Sequence, residues 1–158
     1  MSHRTGPAPL PGGRPRRLVT CSPGCTGIVI GHEPTAVADV RRWITRATRT
    51  TPRRSQDVAL VASELATNAI RHSRSGDPGG RVLVEMFHQG DYYLLCVTDD
   101  GPRPGDEDQY PRVKNTPTEV PGGLGLHMVD ALSRGWSWLV NTDGTVTVQA
   151  RIPCGIER

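Results

Sequence analysis

The segment Glu64-Leu65-Ala66-Thr67-Asn68-Ala69-Ile70-Arg71-His72-Ser73 constrains this chain more than any other, because it sets a carboxylate and a carboxamide one helical turn apart inside an apolar run. Residues four apart share a helix face, so Glu64, Asn68 and His72 line up, with Arg71 beside them. On the same stretch Val58, Val61, Ala62, Leu65, Ala69 and Ile70 trace a face to be buried, and Thr51-Pro52 suits its start. Glu64 and Asn68 border that face, which predicts that they look into a pocket between the helix and a sheet. The bland alternative is a solvated stripe on an amphipathic helix, and the segment alone does not choose between the two.

The order of the downstream elements does. Val82 to Phe87 and Tyr92 to Thr98 read as two strands rich in β-branched and aromatic residues, joined at Gln89-Gly90-Asp91. The second runs directly into Asp99-Asp100-Gly101. A Pro/Gly/acidic stretch without periodicity, residues 102 to 121, then leads to Gly122-Gly123-Leu124-Gly125-Leu126, where glycines open an apolar-periodic helix. Trp136 to Val140 and Thr145 to Ile152 alternate with period two around Asp143-Gly144, a strong hairpin pattern. Upstream, Gly27 to Ile30 is strand-like, and Glu33-Pro34 begins a helix whose apolar face (Ala36, Val37, Val40, Trp43, Ile44, Ala47) runs to about Thr48. These elements predict an α/β two-layer sandwich: a mixed, mainly antiparallel sheet covered on one face by helices.

A chain of 158 residues with 35% hydrophobic residues can bury one core, not two. The domain is expected over residues 27–153, with a C-terminal tail at 154–158. Neither a membrane-length apolar run nor a secretory leader is seen, so a cytoplasmic location is expected. The net charge of +3 suggests a nucleic-acid binder until it is located. Arg4, Arg14, Arg16 and Arg17 precede the first acid, Glu33, and exceed the whole surplus, leaving 15 basic residues against 16 acidic ones. The domain is thus nearly neutral. Residues 1–26 read as a disordered basic, Pro/Gly-rich tail, which could attach at most weakly to nucleic acid or an acidic partner. Cys21 and Cys25 are spaced one residue wider than Cys-x-x-Cys and no second pair lies nearby, so a zinc site is not supported.

Gly123-Leu124-Gly125-Leu126 lacks the Lys-Ser/Thr of a P-loop and the third glycine of a Rossmann turn. Instead, a helix bearing Glu/Asn, a strand ending in Asp-x-Gly, a long loop, and Gly-x-Gly-Leu opening a helix together resemble the GHKL ATPases with their Bergerat nucleotide site. The likeness covers about residues 28 to 152 and is greatest to the small anti-sigma-factor serine/threonine kinases. It implies ATP and Mg2+ as cofactors, with Asn68 as the protein ligand to the metal, Glu64 as the catalytic residue that activates a nucleophile, and Arg71 as a phosphate contact. It further implies that Asp99 accepts a hydrogen bond from the adenine amine and that Gly101 lets the base approach. Gly123, Gly125 and Leu126 would offer backbone amides to phosphate, Thr145 or Thr147 would stand near adenine, and residues 102–121 would form an ATP lid with Lys114 as a candidate contact. His72 completes an Asn-Ala-x-x-His pattern but is expected to pack or cap.

The implied function is an ATP-dependent protein serine/threonine kinase that binds a sigma factor and phosphorylates an antagonist protein, with a homodimer as a further expectation and no membrane partner. The alternative is a catalytically inactive nucleotide-gated protein-binding regulatory module. One departure from the family pattern bears on that choice: Asp-x-Gly-x-Gly here reads Asp99-Asp100-Gly101-Pro102-Arg103.

Overall fold

The computed structural model describes residues 16–19, 24–107 and 124–154, with only the backbone of residues 16–19 and 124. Six strands, β1 (Arg16–Val19), β2 (Cys25–Gly31), β3 (Arg81–Gln89), β4 (Tyr92–Asp99), β5 (Trp136–Val140) and β6 (Val146–Pro153), form one sheet in the order β1-β2-β3-β4-β6-β5. Three helices, α1 (Val37–Ala47), α2 (Pro52–His72) and α3 (Leu124–Leu132), accompany it, with short 3-10 turns at Pro34–Ala36 before α1 and at Arg74–Gly76 after α2.

Every pairing is antiparallel, so the parallel part of the expected mixed sheet is not found among the described strands. Connectivity explains this. Two helices separate β2 from β3, which returns the chain in the reverse direction. One helix separates β4 from β5, which makes those two run the same way, but β6 is inserted between them. Two further differences concern the first 26 residues. Arg16–Val19 pairs with β2, and β2 itself begins at Cys25 rather than Gly27. Part of the segment expected to be a disordered tail is therefore an edge of the sheet. Arginines do not read as strand, yet a ladder needs only backbone groups from an edge strand, and β2 supplies their partners.

Alternate strand residues face the helices: Ile28 and Ile30, Val82, Val84 and Met86, Tyr93, Leu95 and Val97, and Val148, Ala150 and Ile152 are all buried. α2 lies between α1 and α3 and over β3, β4 and β6, which is why it buries Val58, Val61, Ala62, Leu65, Ala66, Ala69 and Ile70 rather than one narrow stripe. Its start is fixed by Thr51, whose hydroxyl accepts from the Arg54 amide at 3.3 Å, and by Pro52 in the first turn. The connection to α1 is pinned at the far end of the sheet, where the Arg49 amide donates to the Tyr93 hydroxyl at 2.9 Å. No helix among the described residues is long and apolar enough to cross a membrane.

Candidate functional site

The fold delivers Glu64 and Asn68 as half-buried polar residues on an otherwise buried part of α2. Glu64 faces the start of α3: a Cβ built on Gly125 would stand 2.5 Å from Glu64 Oε2. Gly125 is buried, and its missing side chain is the space the carboxylate occupies. Neither the Glu64 nor the Asn68 side chain has a hydrogen-bonding partner among the described residues, so the Asn68 carboxamide oxygen keeps its lone pairs for a ligand. A single neutral oxygen of this kind suits magnesium, which prefers oxygen ligands and retains several waters. Leu126 is buried in the first turn of α3, so its contribution to a phosphate could come only from the backbone. Gly123 and Lys114, and the expected lid beyond Glu107, lie outside the described residues.

At the end of β4 the arrangement is the reverse, dense with hydrogen bonds. Asp99 shares the helix-covered face with Leu95 and Val97, and its Oδ1 accepts from the Gly101 amide at 2.7 Å, with the Val146 amide also donating to its carboxylate. Burial pushes the carboxyl up to about 6, with the neighbouring Asp100 charge adding to the rise, while the Gly101 and Val146 amides and Arg74 work the other way. Asp100, by contrast, is a brace. Its Oδ2 accepts from the Arg81 amide at 2.8 Å, its own amide donates to Ser75 Oγ at 2.8 Å, and Ser75 Oγ donates to the Arg81 carbonyl at 2.6 Å. Gly101 adopts φ +91, a region that disfavours side chains, and it lies against the Gly144 carbonyl of the β5–β6 turn, where no Cβ would fit.

Arg74 is a member of this site that the sequence alone does not reveal. Its amide donates to the Gly101 carbonyl at 2.9 Å and its Nη2 to the Asp100 carbonyl at 2.7 Å. The only sequence signal is an arginine just past the Glu/Asn helix.

Four further expected residues have their own partners or positions. The hydroxyl of Thr145 donates to Asp143 Oδ1 at 2.6 Å and accepts from Asn141 Nδ2 at 2.9 Å, so its proton is committed inside the hairpin turn. Thr147 is paired across the ladder with Thr98 at 2.8 Å, on the sheet face opposite Asp99. The residue facing Asp99 is Val146. Arg71 is exposed at the end of α2, where its carbonyl accepts from Arg103 Nη1 at 2.9 Å. His72, exposed rather than packed, closes the helix.

This geometry, with a free carboxamide and carboxylate on one helix, a glycine-bearing helix start beside them and a buried aspartate at a glycine turn, is that of an ATPase of the Bergerat type. Residues 30–151 match the family described as the histidine kinase-like ATPase domain, and the chain belongs to that family. No curated protein matches the chain.

Proposed function

We propose that this ATPase domain is an anti-sigma-factor-type serine/threonine protein kinase, which binds a sigma factor and phosphorylates an antagonist protein using ATP and Mg2+. The observation that carries the reading is the contact of Glu64 Oε2 with the Gly125 position at the start of α3. It supports a base at the phosphate end of the site, within reach of an incoming hydroxyl, rather than a helix surface charge. ATP, when bound, supplies the γ-phosphoryl group and leaves as ADP. Asn68 would hold the metal through its carboxamide oxygen, the amides of Gly125 and Leu126 would serve the phosphates, and the Asp99 carboxylate would accept from the adenine amine. Glu64 orients the acceptor hydroxyl and takes its proton. The experiment is transfer of radiolabelled phosphate from ATP to candidate antagonist proteins. Label on a serine or threonine supports the kinase. Nucleotide-dependent partner binding without label would leave the nucleotide-gated binding module as the reading.

A further inference from the structure

Where the family pattern asks for a second glycine, this chain places Arg103 in the run Gly101-Pro102-Arg103-Pro104-Gly105. Glycine would leave the backbone free, whereas two prolines fix φ on either side, and Pro104 also restricts Arg103 itself. The Asp106 amide closes a turn on the Arg103 carbonyl at 2.9 Å. The guanidinium spreads over the end of α2. Nε donates to Asp77 Oδ1 at 3.1 Å, Nη1 donates to the Arg71 carbonyl at 2.9 Å, and Nη2 lies 3.0 Å from where a Cβ on Gly76 would stand. The Arg71 carbonyl belongs to the last turn of α2, where helix carbonyls have no partner within the helix. Arg103 is therefore seated by a carboxylate and a helix-end carbonyl, beside Gly76, where a Cβ would collide first with the Ile70 carbonyl.

We propose that Arg103 is a positioning residue for the adenine half of the site. It fastens the strap that comes after Asp99-Asp100-Gly101 to the helix that carries Glu64 and Asn68, so that the base-recognition loop and the metal-binding helix keep one relative placement. Arg74 grips the same loop from the other side, through the carbonyls of Asp100 and Gly101. A surface ion pair contributes little to stability by itself, and the Arg103 side chain is 31% exposed and that of Asp77 51%. The effect of Arg103 is accordingly on loop geometry more than on global stability. This inference rests on the nucleotide-binding function proposed for the site.

The test is calorimetry of the full chain with adenosine and with ATP, alongside hydrogen exchange of the ligand-free protein. Arg103→Gly, which restores the glycine of the pattern, is expected to weaken both ligands by the same factor, roughly three- to tenfold, the net worth of one ordinary hydrogen bond passed on through the loop. The Gly101 and Arg74 amides should exchange faster, while the melting temperature stays close to that of the wild type. Arg103→Lys should fall between the two, since an ammonium can reach the carboxylate or the carbonyl but lacks the fork that spans both. If adenosine affinity or the protection of Gly101 and Arg74 is unmoved in Arg103→Gly, the role of Arg103 is overturned. Should the wild type bind neither adenosine nor ATP, the nucleotide reading itself fails, a result told apart from the first by the wild-type titration alone.

Discussion

The two ends of the site are built on opposite principles. At the base end, Asp99, Asp100 and Gly101 are held by the amides of Gly101 and Arg81, by Ser75 and by Arg74, with bonds of 2.7 to 2.9 Å, and also by the Val146 amide. At the phosphate end, the Glu64 carboxylate meets the bare edge of Gly125, and neither its side chain nor that of Asn68 has a hydrogen-bonding partner among the described residues. Rigid recognition of a flat, invariant base costs no ordering at the moment of binding. Groups that must meet a hydrated metal, a triphosphate and an acceptor hydroxyl are better left unsatisfied by the protein, because every internal bond would have to be exchanged. On the proposed function, the difference teaches that adenine selection would be a property of the fold, whereas catalysis would wait for the ligand to complete the site.

The largest effect should come from the open end. Glu64→Gln keeps size and hydrogen-bonding capacity but removes the base, so phosphoryl transfer is expected to fall by roughly two to four orders of magnitude with ATP affinity retained. Asn68→Ala should lose binding and transfer together, as measured by calorimetry in Mg2+ and by label transfer. If the two variants behave alike, the division of labour between base and metal ligand is wrong. Gly125→Ala is milder. The added methyl would collide with the flexible tip of Glu64 rather than with backbone, so transfer should drop about tenfold while the melting temperature hardly moves.

The base end predicts a trade between binding and stability. Folding raises the Asp99 pKa from 3.8 to about 6, so the native state holds this proton more tightly than the unfolded chain does. The contribution of the group to stability is therefore fully present below pH about 4 and is lost as pH rises through about 6. At pH 7.5 Asp99→Asn should stabilise the protein by on the order of 2 kcal/mol in denaturant titrations. The same substitution should weaken adenosine roughly tenfold, because an amide nitrogen cannot accept from the adenine amine. Adenosine affinity of the wild type should climb between pH 5 and 7 and that of Asp99→Asn should stay flat. A destabilised Asp99→Asn would show that the carboxylate is a structural brace like Asp100.

How much of this is legible in the sequence depends on which forces place each residue. The period of apolar residues reports burial directly, so α2, β3, β4 and the β5–β6 hairpin stand where the pattern puts them, within a residue or two, while α1 starts at Val37 after a 3-10 turn at Pro34–Ala36 rather than at Glu33-Pro34. Thr51-Pro52 and Asp143-Gly144 carry local backbone preferences and mark their helix start and turn correctly. β1 carries neither signal: Arg16-Arg17-Leu18-Val19 has no period, and only the exposed edge of β2 makes it a strand. The clamp of Arg74 and Arg103 on the Asp99 loop joins residues 26 and 32 positions apart. No local pattern encodes such a contact. Arg103 is conspicuous in the sequence as a departure from a motif, but its partners Asp77 and Arg71 are not.

Thr145 gives the smallest expected effect and the sharpest control on the contrast between the two ends. Its position, one residue before β6 and next to Gly144 at the mouth of the base end, makes it a candidate for adenine. Its hydroxyl instead donates to Asp143 and accepts from Asn141, which also donates to Thr147. Those bonds tie the β5–β6 turn together, and the turn carbonyl of Gly144 is what Gly101 rests against. Thr145→Val keeps the shape and deletes the hydroxyl, so stability should fall by about 1 kcal/mol, the net worth of a partly buried hydrogen bond. Adenosine affinity should change by less than about twofold, since less than about half a kcal/mol of any turn adjustment would reach the ligand. A loss comparable to that of Asp99→Asn, with stability unchanged, would put the Thr145 hydroxyl on the base after all and require the turn to open when nucleotide binds.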